Sequence, residues 1–182
     1  MRIWTFAPHI LNGNEDWKLP VQGLWRETLM ARNAYKAFLS NKPHGYLKHP
    51  QMKYFTSYKD VDCLSYLNVY LREVYNYGVF QCHLNFSDSY LETEKPVSLR
   101  QESKLVRTVG QLEYELNWFY TKIDEHEKKG WLENFFFNYT SHPELIVSSI
   151  FKIIPGEVMP ELEKIKPVER VISLNYKKLI RE

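Results

Sequence analysis

Two stretches of this sequence combine residue types that can do chemistry. The first lies in VQGLWRETLMARNAYKAFLS, residues 21–40, where Arg26 and Glu27 are neighbours. They are set roughly 100° apart around a helical axis, at the edge of an apolar stripe. An Arg–Glu pair on a helix is most often solvated and contributes little. The opening Met1-Arg2-Ile3-Trp4 raises the interest of this pair, because an apolar, aromatic start is expected to pack against something rather than move in solvent. The second stretch is Lys42-Pro43-His44-Gly45-Tyr46-Leu47-Lys48-His49-Pro50-Gln51, basic, aromatic and stiffened by two prolines. Its chemistry suits phosphate contacts, although a plain surface loop has a similar composition. No CxxC, HExxH or clustered His/Cys spacing is present, so no metal ligands and no cofactor are expected.

These residues need a scaffold, and apolar periodicity supplies a mainly α one. Val21, Leu24, Trp25, Leu29, Tyr35, Phe38 and Leu39 repeat at threes and fours, which predicts a first helix over 21–40 that Pro43 prevents from continuing. Residues 7–20 and 42–51 read as loops. A second helix is expected over 59–77 from Val61, Leu64, Leu67, Leu71 and Val74, with Gly78 as its stop. Residues 79–86 read as a short buried connection and 87–105 as the longest irregular segment. A third helix is expected from Thr108, with Thr108 as N-cap and Gln111 reaching back to it, and a stripe of Leu112, Leu116, Phe119 and Ile123. WLENFFFNY, residues 131–139, is an aromatic patch suited to core or lid. Residues 142–158 hold β-branched runs between Pro and Gly and predict short extended pieces. The charged tail from Met159 closes the fold as a helix or strap.

The 182 residues suit one domain with a substantial core, and 15% aromatics, thirteen of them Tyr, argue against disorder. No apolar run reaches the length of a membrane span, and the start lacks the pattern of a secretory signal. An intracellular location is therefore expected, with Cys63 and Cys82 reduced and the Asn85 and Asn138 glycosylation triplets fortuitous. Net charge is only +2, but residues 1–58 carry eight Lys/Arg against three Asp/Glu, and the remainder sixteen against nineteen. The N-terminal third is a basic face suited to phosphates.

Five short patterns then fall in order. They are Met1-Arg2-Ile3-Trp4; Leu24-Trp25-Arg26-Glu27; Gly45-Tyr46-x-x-His49-Pro50-Gln51; Thr108-x-Gly110-Gln111-Leu112-x-Tyr114-Glu115; and His142-Pro143 with Ile154-Pro155-Gly156-Glu157. Together they resemble the pyrimidine-dimer DNA glycosylase family, also called endonuclease V of the phage type, and particularly its longer bacterial-style members. The resemblance spans residues 1 to about 158. It implies a compact, mostly helical domain over 1–158, with three principal helices and an N-terminal segment threaded between them. Short extended pieces lie near the C-terminus, and a tail, 159–182, packs on or extends from the domain.

The resemblance also implies a function. The α-amine of Met1 is the nucleophile, Glu27 its carboxylate partner, and Arg2 and Arg26 contact the lesion or its phosphates. Arg32, Lys42, His44, Tyr46, Lys48 and His49 complete the expected DNA contacts. The partner is duplex DNA with a pyrimidine lesion, bound by a monomer without metal or membrane. An α-amine has an unperturbed pKa near 7.7–8.0, so roughly a tenth is neutral at pH 7, far more than for lysine. Neighbouring Arg2 and Arg26 favour that neutral form. Initiator-Met removal is not expected before Arg2, so Met1 should keep its amine. Departures concern the shell around the lesion: an arginine of phage members one turn after Arg26 is Met30 here, a histidine falls at Pro20, and a tryptophan of the third helix is Leu116. The alternative is a protein that keeps the fold as a non-catalytic nucleic-acid-binding or structural subunit.

Overall fold

A computed structural model describes residues 3–11, 18–92 and 104–180. Among them are six α-helices and one two-stranded sheet, the mainly α architecture that periodicity predicts. Helix α1, Lys18–Leu39, starts three residues before the expected Val21. Pro20 is accommodated because the first helical turn has no intrahelical partner for its N–H groups. Val21, Leu24, Trp25, Thr28, Ala31 and Tyr35 form its buried face, whereas Leu29, expected on it, is half-buried and Phe38 and Leu39, in the last turn, are exposed. Its stop is made by Asn41, in the left-handed region at φ 52°, where the Lys42 N–H closes onto the Ala37 carbonyl at 2.8 Å.

The stretch read as a loop before residue 52 is more ordered than its prolines suggest. A 3₁₀ turn over Gly45–Lys48 leads into α2, Pro50–Ser57, with Pro50 in the first turn. Helix α3, Cys63–Asn76, is capped by Asp62, whose carboxylate accepts from the Ser65 N–H and hydroxyl. Its fully buried face runs through Cys63, Tyr66, Leu67, Tyr70, Leu71 and Val74 and packs on α1. Val61 and Leu64, expected on that face, are only half-buried. Gly78 does not stop the helix. The chain widens into a π turn over Tyr77–Gln81, and residues 79–86 are only in part the expected buried connection: Phe80 is 65% exposed, whereas Leu84 is buried and Phe86 stacks on Trp25.

Strand β1, Leu105–Thr108, begins at the last residue of the expected irregular segment, of which 93–103 lie outside the described residues. It pairs in parallel with β2, Phe151–Ile154, in the register Leu105↔Phe151 to Thr108↔Ile154. Two helices make the crossover that a parallel pair requires. The first is α4, Val109–Lys122, and Thr108 is its N-cap, accepting from the Gln111 N–H at 3.1 Å. The Gln111 side chain does not reach back. It donates to Glu115 and Glu163 and accepts from the Met159 N–H.

The aromatic patch is part of a fourth long helix, α5, Glu125–Ser141, which its run of mixed residues conceals. Trp131, Phe135 and Tyr139 stack successively along one face, with neighbouring ring centroids 5.6 and 5.9 Å apart. Phe137 on the other side is 71% exposed, so a three-four periodicity scan sees apolar residues all round. The tail runs as a strap across α4. Asn117 meets the backbone of Val171 and Ile172, Glu113 accepts from the Leu174 N–H, and Tyr114 Oη accepts from the Lys166 N–H. It ends in the one-turn α6, Tyr176–Leu179.

The start of α4 lies directly on the turn after β2. The Gly110 N–H donates to the Gly156 carbonyl at 2.9 Å, and a Cβ on Gly110 would sit 2.6–2.8 Å from the Gly156 and Glu157 backbone. Gly156 itself has φ +150°, and Thr108 Oγ1 donates to the Glu157 carbonyl at 2.6 Å. Two sequence patterns nearly fifty residues apart are therefore one contact. Gly110→Ala is expected to lower stability by about 3 kcal/mol, since backbone on both sides cannot yield as a side chain would. Urea unfolding of the variant beside wild type measures it.

Candidate active site

The N-terminal segment is buried extended chain, and each polar backbone group needs a partner away from water. Ile3, Thr5 and Phe6 have no exposed surface. The Ile3 N–H donates to Gln51 Oε1 at 2.8 Å, the Trp4 N–H to Tyr70 Oη at 3.2 Å, and the Thr5 N–H to Glu115 Oε2 at 2.6 Å. Thr5 Oγ1 donates to the other oxygen of Glu115, 3.1 Å away. Beyond them Phe6 bridges Val147, the Ala7 N–H donates to Ile146, and the Thr5 carbonyl accepts from Ser148. The segment thus threads between α2, α3, α4 and the chain before β2. Burial, with Glu73 and Glu115 adding to it, holds the Tyr70 hydroxyl well above its ordinary range, so it keeps its proton.

Glu27 stands half-buried at the edge of α1's core face. The Tyr46 hydroxyl donates to Glu27 Oε2. Partial burial, then the adjacent carboxylate, raise the Tyr46 pKa, so the phenol is a donor throughout the neutral range. Tyr46 belongs to a chain of local restraints. The His44 ring nitrogen Nδ1 accepts from the Tyr46 N–H at 3.2 Å, and the Tyr46 ring lies against His49 with centroids 5.9 Å apart. His49 Nδ1 accepts from the Gln51 N–H at 3.2 Å and caps α2. Gln51, 1% exposed, then reaches Ile3. The Tyr46–Gln51 stretch therefore touches Glu27 at one end and the N-terminal segment at the other.

Met1 and Arg2, expected at the centre of the site, lie outside the described residues. Arg26, Lys42 and Lys48 are exposed, as a phosphate contact requires. Met30, in place of an arginine, is 43% exposed one turn beyond Arg26. Arg32 departs from its expected place on the DNA face. It is 4% exposed, donates to the Tyr90 carbonyl and to Asn68, and approaches Glu92 at 3.8 Å. Its helical position, about 100° per residue from the exposed edge, turns it into the core. His44, Tyr46 and His49, expected as DNA contacts, direct hydrogen-bonding groups inward to caps and to Glu27.

Residues 1–76 match the family model for pyrimidine dimer DNA glycosylase. The match supports the family resemblance, covers less than half of the chain, and ends with α3. Glu27, Tyr46, His49, Gln51 and Tyr70 fall inside it, and Glu115 outside. The family acts on DNA carrying pyrimidine dimers as a glycosylase. No curated protein and no solved structure matches the chain. Among the described residues no helix is long and apolar enough to cross a membrane.

Gln51, Tyr70 and Glu115 are the site residues that motif reading did not assign. Gln51 and Glu115 stood within quoted patterns, yet nothing in a linear pattern says that a glutamine ends on a backbone N–H 48 residues away. Glu115→Gln replaces one of two acceptor oxygens facing Thr5 with a donor. Stability should fall by about 2 kcal/mol, the order for a buried polar group left without its hydrogen-bond partner. Native-state hydrogen exchange should show the Thr5 amide losing protection before those of α3.

Proposed function

We propose that the protein is a bifunctional glycosylase and abasic-site lyase that works through the α-amine of Met1, with Glu27 as its carboxylate. The observation that carries this reading is the convergence of the N-terminal segment and Glu27 on one short stretch, Tyr46–Gln51. Such convergence serves a reaction that needs a chain terminus beside a carboxylate. The neutral amine forms a bond to C1′ of the damaged nucleotide, and the glycosidic bond breaks, its electron pair leaving with the base. Loss of an amine proton and opening of the sugar give an imine. Glu27 stabilises positive charge at C1′ and then accepts the C2′ proton, so that the electrons expel the 3′ phosphate oxygen and the strand is cut. A base inside a duplex is out of reach, so DNA must be kinked or a nucleotide extruded. Arg2, Arg26, Lys42 and Lys48 are assigned to that grip, with Arg32 removed from it.

Borohydride trapping on abasic duplex tests the chemistry, because only an amine nucleophile makes a reducible imine. Wild type should give a trapped adduct, and one Gly added before Met1 should abolish it by moving the amine up to about 3.5 Å. Glu27→Gln should keep DNA affinity and lose strand cleavage. An extended protein that still forms adduct at the normal rate would assign the nucleophile to a lysine. Wild type that binds DNA without adduct would favour the non-catalytic alternative.

The grip is tested by salt. Binding should weaken steeply with ionic strength, each phosphate contact adding a slope of roughly −0.9 in log K against log salt. Lys42→Ala and Lys48→Ala should each make the slope shallower by about one. Unchanged slopes in both would place the DNA face elsewhere.

A further inference from the structure

We infer that Tyr46 and Gln51 are positioning residues, Tyr46 orienting the Glu27 carboxylate and Gln51 fixing the N-terminal segment at Ile3. This rests on the amine–carboxylate reading above and goes beyond it by assigning two residues that do not touch the DNA. The bracket has two arms. The Tyr46 hydroxyl holds Glu27, and the Gln51 side-chain oxygen holds the Ile3 N–H, two residues from the terminus.

What joins the arms is stiff. His44 caps the 3₁₀ turn carrying Tyr46, and His49, with extended backbone at ψ 137°, caps the helix carrying Gln51. Pro50 fixes its own φ between them. Below, Met52 and Phe55 are fully buried and anchor α2 in the core. The caps and the packed helix thus hold in place the backbone from which both arms extend. A phenol that keeps its proton in the neutral range and a neutral amide are apt for the task, because neither changes charge while Glu27 exchanges protons. The stretch that looks like a phosphate-binding loop is, on this account, the brace of the site.

The test is single-turnover cleavage of abasic duplex, with borohydride trapping, affinity by gel shift and thermal melting alongside. Tyr46→Phe removes one oxygen from a half-buried ring. Gln51→Asn keeps the amide but withdraws it by one methylene. Each should slow cleavage 10- to 100-fold, the scale of a misplacement near 1 Å, with affinity within threefold and an unchanged melting profile for Tyr46→Phe. Glu27→Asp supplies a carboxylate the Tyr46 hydroxyl no longer reaches, so adding Tyr46→Phe to it should cost less than threefold more. A merely structural tyrosine would lose the same factor in both backgrounds, and that result overturns the assignment. So does Tyr46→Phe cleaving at the wild-type rate. If wild type itself yields no adduct, the amine–carboxylate reading fails and the bracket falls with it, a result distinct from an active wild type with indifferent variants.

Discussion

The fold depends on burying an extended N-terminal segment in a helical body. A strand in a sheet finds its hydrogen bonds in its neighbours, but residues 3–5 enter among helices, whose backbone groups are already used. Side chains must supply the partners, and they come from Gln51 on α2, Tyr70 on α3 and Glu115 on α4. Among the described residues of this segment, backbone meets other backbone only from Thr5 onward, before β2. Three buried polar residues thus exist because one stretch of backbone has no ladder. Their demands propagate, since Glu115 is itself met by Gln111, and Gln111 by Glu163 and Met159 of the strap.

This dependence links the two halves of the molecule. The part matched by the glycosylase family, residues 1–76, contains Glu27 and the stretch that holds it. It does not contain everything that holds its own start. Glu115, Ile146 and Ser148 lie beyond it and close the channel around residues 5–7. The Gly110–Gly156 contact fixes α4 against the turn after β2, and so fixes the helix that presents Glu115. A loosened contact there would reach the site through the segment it clasps.

Buried cations show the same economy. Arg107 has no exposed surface, and its guanidinium lies between the rings of Tyr54 and Phe151, 4.2 and 4.4 Å from their centroids. Its Nε and Nη2 have no hydrogen-bond partner among the described residues, so ring faces take the place of acceptors. Arg32 Nη1 donates to Tyr90 and Asn68, pinning the chain before residue 93 to α1 and α3, while its Nε has no hydrogen-bond partner among the described residues. In the N-terminal third Arg32 is therefore interior while Arg26, Lys42 and Lys48 are exposed, and net charge alone does not separate them.

By itself the sequence determined the mainly α class, most of the core faces of α1 and α4, the Thr108 cap and the family resemblance. These are local properties, carried by three-four spacing, by a threonine before a helix and by short ordered patterns. It determined α5 and α2 poorly, because a helix apolar all round has no stripe and a short helix between prolines and histidines resembles a loop. Only the tertiary structure decided what the motif residues do. That Tyr46 meets Glu27, that Gln51 meets Ile3, and that Arg32 is interior are consequences of packing between elements 19, 48 and 36 or more residues apart. Residue type supplies a hydrogen-bonding capacity, and the partner is chosen by whichever backbone or charge the fold leaves unsatisfied nearby.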